Sequence, residues 1–485
     1  MAVSEETFFL DPTFEGTLQQ QIQSLVAEGI LSGRLRSGEK LPSTRRLARH
    51  LGISRITVTL AYTELQADDY ITSRGRSGYF VSDTAPQPRP VTQQLPQSDS
   101  VDWSRLIGTR FSQAGHLSKP ADWSSYRYPF IYGQADPALF DHANWRLCAL
   151  QALGLRDFEA MTSDCFDRDD PRLVEFIARH SLPRRGILAA TEEILVTLGA
   201  QHALWLAAEV ILNQRRTAVV ENPVYPGLSA ILSQSRSHVV PLDVDEDGLP
   251  PDAIPDEADV VFVTPSHHSP TSVTMPLDRR RALLKRATED DFIVVEDDYE
   301  FEMAFLSPPS PALKSLDRDG RVIHIGSFSK SLFPGLRLGY IVGPRAFIRE
   351  ARALRASMLR HPPGHLQRTA AYFMSLGHYD ALIKRTAGAL AARRSIMSSA
   401  IQAHGLMVAG NGKGGSSFWM RAPERIDTQV LAERLREKGV LIEAGHVFYT
   451  REEPPRHFYR LAYSSIRKER IPDGIALIAE AIKGF

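Results

Sequence analysis

Two cysteines, Cys148 and Cys165, are all the thiol chemistry this 485-residue chain possesses. They are too few for a disulfide framework and lack metal-ligand spacing, so neither a disulfide-stapled secreted fold nor a metal site is expected. Apolar residues never run for the roughly 18 positions that a membrane span requires. The acidic start "MAVSEETFFLDPTFEG" also lacks the basic and apolar stretches of a secretory signal. These absences point to a cytoplasmic protein with no membrane contact. Net charge is missing too: 57 basic residues balance 57 acidic ones, which excludes a whole-chain electrostatic footprint for nucleic acid. What remains is an ordinary globular composition, 43% hydrophobic and 24% charged, over a length that predicts about two to four domains.

Charge is segregated, however. Residues 32–82 hold nine Arg and Lys against four Asp and Glu, a net +5 inside a neutral chain. Just before, Leu18, Ile22, Leu25, Val26 and Ile30 fall at helical spacing. "PSTRRLARHLG" then offers Ser43 as N-cap, Leu47, Ala48 and Leu51 as an apolar face, and Gly52 as a stop. "SRITVTLAYTELQADDY" restarts with Ser54 as cap, and "YITSRGRSGYFVS" adds a basic hairpin. Two short helices joined by a glycine-containing turn make a helix-turn-helix pattern. Ser54, Arg55 and Thr57 then stand at the N-terminal end of a recognition helix, where base edges are met. Ser43, Thr44 and Arg45 can hold a phosphate, and Arg74 and Arg76 on the hairpin tip can reach the backbone or minor groove. The plain alternative is a basic three-helix module for protein interaction. From Ser32 to Val81 the pattern resembles the GntR-type winged helix, which implies operator DNA as partner; Asp69 stands where that family usually has glycine.

After this module, "DTAPQPRPVTQQLPQSDS" (Asp83 to Ser100) is rich in Pro, Gln and Ser. Such a composition predicts an extended, semi-rigid spacer of about 3.1 Å per residue. The expected organisation is a DNA-binding domain over 14–82, a linker over 83–124 and a large domain over 125–485.

In the large domain β-prone runs alternate with helical stretches, which predicts an α/β fold with a mostly parallel sheet. Strands are expected at Glu193–Thr197, Thr217–Glu221, Asp259–Thr264, Phe292–Glu296 and Arg321–Gly326. They run into "LGAQ", "NPVYPG", "PSHHSPTS", "DDYEFE" and "SFSKS", so polar sequence collects at strand C-termini, where open α/β sheets bind ligands. Gly199, Ala200 and Gln201 open a helix whose amides can hold a phosphate, and Ser327 and Arg337 can add a hydroxyl and a guanidinium. Asp297 and Tyr299, two apart, share a face: the carboxylate suits a pyridinium nitrogen and the phenol a ring hydroxyl. Tyr225 offers an aromatic face, and Lys330 is a lone amine between apolar runs. His267 and His268 form no metal set and are placed in the loop beside the ligand. Phosphate site, pyridinium partner, stacking ring and amine together describe pyridoxal 5'-phosphate.

From about Tyr128 to the end the chain resembles fold-type I aminotransferases, with "SFSKSLFPGLRLGY" the most specific motif. Joined to a GntR-type winged helix, it resembles the MocR/GabR family of pyridoxal-phosphate-dependent transcriptional regulators. That resemblance implies a winged helix-turn-helix followed by an aminotransferase-like domain with a smaller C-terminal subdomain. It implies Lys330 as the internal-aldimine lysine, Asp297 and Tyr299 as partners of the ring nitrogen and ring hydroxyl, and Arg460 as the arginine for an effector carboxylate. It also implies sensing of a small amino compound and a homodimer swapped head-to-tail on direct-repeat operators. The alternative is a pyridoxal-phosphate-dependent aminotransferase with an accessory DNA-binding arm. Ser269 to Ser272 read "SPTS" where such enzymes carry Asn-Pro-x-Gly, so the asparagine that tunes the ring hydroxyl is absent, which speaks for a sensor.

Overall fold

The computed structural model describes residues 3–86, 101–108, 119–134, 136–306, 310–410, 412 and 414–485. The expected linker over 83–124 lies outside these residues from position 87 to 100 and again from 109 to 118, as does the side chain of Arg76. Two compact units result, Met1–Arg110 and Phe111–Phe485.

The first unit contains α1 (Leu18–Leu31), α2 (Thr44–Leu51), α3 (Arg55–Ala67) and an antiparallel hairpin of β1 (Ile71–Ser73) with β2 (Tyr79–Val81). The caps read from the sequence form. Ser43 Oγ accepts the Arg46 N–H at 3.3 Å and Ser54 Oγ accepts the Ile56 N–H at 3.2 Å. Gly52 ends α2 with φ 67°, a left-handed turn that glycine makes without strain. Ile22, Val26 and Ile30 of α1 meet Leu47 of α2 and Val58, Tyr62 and Leu65 of α3, and Ile71 and Val81 close the core. Residues upstream of position 14 join this packing. Phe8 is in the same core, Glu5 pairs with Arg46 at 2.7 Å, and the Val3 N–H donates to the Lys40 carbonyl. Asp69 adopts φ 61° in the turn into the wing, which explains why glycine suits that position.

The second unit is built on a seven-stranded sheet. Its strands are β3 (Ile194–Thr197), β4 (Thr217–Asn222), β5 (His238–Asp243), β6 (Val260–Val263), β7 (Ile293–Asp298), β8 (Val322–Ser327) and β9 (Gly339–Val342). They lie in the order β3-β9-β8-β7-β6-β4-β5, and only β9 runs antiparallel to its neighbours. Five strands are those expected, and β5 and β9 are additional. Side chains alternate between two cores with the period of two that a strand imposes. Ala218 and Val220 pack with α4 (Ala200–Ile211), whereas Val219 packs with Leu283 and Ala287 of α5 (Leu277–Glu289). The C-terminal part carries a smaller antiparallel sheet of β10 (Met407–Val408), β11 (Ser417–Arg421), β12 (Glu443–Ala444) and β13 (Phe458–Ala462), ordered β10-β11-β13-β12, over its own core. Among the described residues no helix is long and apolar enough to cross a membrane.

Candidate functional site

Three consecutive acids close β7, and strand alternation sends them different ways. Glu296 accepts the backbone N–H groups of Leu313 and Lys314 at 2.7 and 3.0 Å and lies 2.9 Å from His324 Nδ1. Asp298 takes the Arg185 Nε–H at 2.6 Å. Asp297 lies between them and lines a cavity of about 270 Å³. Its Oδ1 is buried with no partner among the described residues. Burial, with the charges of Asp298 and Glu221 adding to it, pushes this carboxyl up to about 8. A cationic donor, such as a protonated ring nitrogen, would return this carboxyl to the charged form.

The same cavity gathers most of the residues singled out in the sequence: Ala200, Gln201, Tyr225, Tyr299, Ser327, Lys330, Arg337 and Arg460 all line it with Asp297. Gly199 caps α4 with φ 82°. A Cβ there would stand 3.4 Å from Ser329 Oγ and 3.6 Å from the Arg337 guanidinium carbon, so the helix start, Ser329 and Arg337 face one another. Ser329 Oγ is likewise buried without a partner among the described residues. A helix N-terminus, a guanidinium and an unused hydroxyl are a cradle for an oxyanion.

Lys330 follows β8 by three residues, and its Nζ lies 4.3 Å over the Tyr132 ring. Gly133, with φ 75°, makes room for it, since a Cβ there would collide with the amine. Burial pulls the ammonium down to about 8, against the opposing charge of Glu300. A lysine with a depressed pKa has more free amine at neutral pH, which carbonyl chemistry requires.

Other partners differ from the expected ones. The Tyr299 hydroxyl donates to the His267 carbonyl at 3.0 Å, and the Tyr225 hydroxyl donates to Gln201 Oε1 at 3.2 Å. Both His267 and His268 are buried, and His268 Nδ1 lies 2.7 Å from Thr271 Oγ1. Ser269 lines the cavity, and Ser272 adopts φ 61° where the enzymes' glycine would sit. Arg460 is already paired. It stands opposite Glu443 in the β12–β13 register and donates through Nε to Glu443 Oε2 at 2.8 Å. Its guanidinium carbon lies 4.2 Å from the Tyr132 ring centre and 4.7 Å from that of Phe448. Among the described residues no hydrogen bond engages the terminal nitrogens of this stacked fork. Tyr132, Ser329, Glu443 and Lys119 (which also lines the cavity) are site residues the sequence reading missed.

In the first unit Ser43, Arg45, Ser54, Arg55 and Arg74 are exposed and Thr57 is half-buried. Thr44 is buried, with Oγ1 3.5 Å from Arg55 Nε, so its side chain props Arg55 rather than facing outward. Arg74 stacks 4.8 Å over Phe80 on the wing.

Known proteins match this arrangement part by part. The model of the gntR family of bacterial regulatory proteins matches residues 18–81, and that of aminotransferase class I and II matches 162–476. The HTH-type transcriptional regulator TauR of Rhodobacter capsulatus is 56% identical over 485 residues, 100% of both chains. The probable rhizopine catabolism regulatory protein MocR of Rhizobium meliloti is 28% identical over 97% of this chain and 95% of its own. Among solved structures, a kynurenine aminotransferase from Pyrococcus horikoshii is similar with a TM-score of 0.70 and 26% identity, covering 79% of this chain and 98% of its own. The two matched segments follow one another in this chain, and the likeness to the first of these regulators runs its whole length. The chain belongs to the MocR/GabR-type transcriptional regulators, DNA-binding proteins in which a GntR-type winged helix precedes an aminotransferase class I and II domain.

Proposed function

We propose that the second unit binds pyridoxal 5'-phosphate, senses a small amino compound with it, and so alters how the regulator engages operator DNA. The aminotransferase family it belongs to depends on this cofactor, which when bound supplies an aldehyde carbon for which Lys330 Nζ and an incoming amine compete. The protein's part is to hold and polarise. Asp297 would keep the proton on the ring nitrogen, and that cation would in turn draw its carboxyl back to the charged form. The amides at Gly199, Ala200 and Gln201, with Ser327, Ser329 and Arg337, would hold the phosphate. Tyr225 would flank the ring, and Tyr299, whose hydroxyl donates to the His267 carbonyl, would accept a hydrogen bond from the ring hydroxyl. The Arg460 fork, fixed by Glu443 and two rings, would orient an effector carboxylate. With the cofactor bound, Lys330 would be engaged or free according to whether an effector amine is present, and only a difference between two such states can shift DNA affinity.

The reading rests above all on Asp297, a buried carboxyl whose Oδ1 has no partner among the described residues, in one cavity with a lysine of lowered pKa and an oxyanion cradle. The test is spectroscopic. Purified protein should absorb in the visible, and borohydride should fix the cofactor to the peptide bearing Lys330. Lys330→Ala should lose both signals. A borohydride adduct on another lysine, or an unchanged spectrum in the variant, would sink the assignment. We also infer a homodimer acting on paired half-sites in direct repeat, argued below.

A further inference from the structure

Ile56 is the second residue of α3, and 71% of it is exposed. One turn on, Leu60 is 48% exposed, while Val58, Ala61, Tyr62 and Leu65 fill the core. A lone exposed apolar residue needs no explanation, but the surroundings of this one are particular. Ser54 and Arg55 precede it, exposed Arg45 lies at the start of α2, and Arg45 and Arg55 have no acidic partner among the described residues. Arg46, by contrast, is tied to Glu5. The hydrocarbon therefore stands inside a basic, polar rim, the charge pattern of a surface that meets a polyanion rather than an apolar protein face.

The first turn of a recognition helix meets base edges. The major groove presents a single apolar group there, the C5 methyl of thymine. We propose that Ile56 reads a thymine: its side chain packs on that methyl in each half-site and sets the preference at that base pair. A β-branched side chain in a helix is nearly fixed at χ1, so it loses little freedom when it docks. The inference builds on DNA binding by this unit and does not depend on the cofactor reading.

The test uses the full-length protein. Binding sites are selected from random duplex DNA, and each recurring thymine is replaced in turn by deoxyuridine, which removes only the methyl. Wild type should lose about fourfold in affinity at one thymine per half-site, the worth of about one buried methyl group. Ile56→Ala should bind the unmodified site more weakly and be indifferent to uracil at that position, and Ile56→Val should keep part of the sensitivity. Because Ile56 is exposed, the unfolding temperature should not move. Wild type indifferent to uracil throughout, or Ile56→Ala retaining the same loss, would overturn the proposal. So would Ile56→Ala that binds DNA normally but changes its state of association, which would make Ile56 a protein contact.

Discussion

Asp297 shows how one side chain can report on the site around it. In the cofactor-free fold it keeps its proton up to about pH 8, whereas the unfolded chain releases it near the ordinary value of about 3.9. Between these values the folded state binds more protons, so stability falls as pH rises. The protonated form's contribution is complete below the unfolded value and gone above about 8. Asp297→Asn stays neutral and loses this dependence. Urea unfolding of cofactor-free protein from pH 5 to 8 should show wild type weakening relative to Asp297→Asn by up to about 1.4 kcal/mol per pH unit. Glu221 and Glu302, each pushed up to about 7 by burial, have the same sign but are present in both proteins. Parallel curves would mean that Asp297 is already ionised in the fold. At this scale the sequence was readable wherever chemistry follows a strand in one local run, as with Asp297 and Lys330. It was silent on Glu443, whose pairing with Arg460 is a cross-strand contact between segments 17 positions apart, and on Tyr132 and Lys119, which reach the cavity from ahead of the sheet.

Among the elements, α3 is fixed on both sides before it meets DNA. Its N-terminus is capped by Ser54, its buried face is locked against α1 and α2, and Thr44 lies beside Arg55. Arg55→Ala should therefore leave the helix intact and remove one reader. A bidentate contact to guanine contributes about 1–3 kcal/mol of discrimination, so affinity for a selected site should fall well beyond the loss on random DNA, with the visible cofactor band unchanged. Equal losses on both DNAs, in a titration at fixed salt, would make Arg55 a phosphate contact instead. Elements with caps and a clear period were legible in the sequence. Strand β5 was not: it is an edge strand, half exposed and interrupted by Pro241, where neither an apolar run nor clean alternation arises. Residues 3–13 escaped for a related reason, since Phe8 alone joins the core from that acidic arm among the fully buried residues.

For the molecule as a whole, the question is what covers the apolar surface of the second unit. The helix His142–Ala152 buries Cys148 and Ala152 on one side yet leaves Leu147 and Leu150 more than half exposed on the other. Leu153, Leu155 and Phe158 continue the exposed run, Leu155 at 91%. A helix apolar on both sides belongs inside an assembly, and several large apolar side chains exposed along one helix and the segment after it mark a protein interface. A second copy of the chain is the occupant that fits a regulator with one DNA-reading helix, because two copies supply two half-site contacts. We therefore expect full-length protein to sediment as a dimer. Leu150→Asp combined with Leu155→Asp should shift it toward monomer, since each places an unpaired charge in the joint, while helix content stays constant because both positions are exposed in the single chain. The same variant should lose preference for two half-sites over one. If the head-to-tail arrangement holds, wild type should favour the two in direct repeat over the same two inverted. Wild type that sediments as a monomer, or a doubly substituted protein that remains a dimer, would show that this patch does not join two copies.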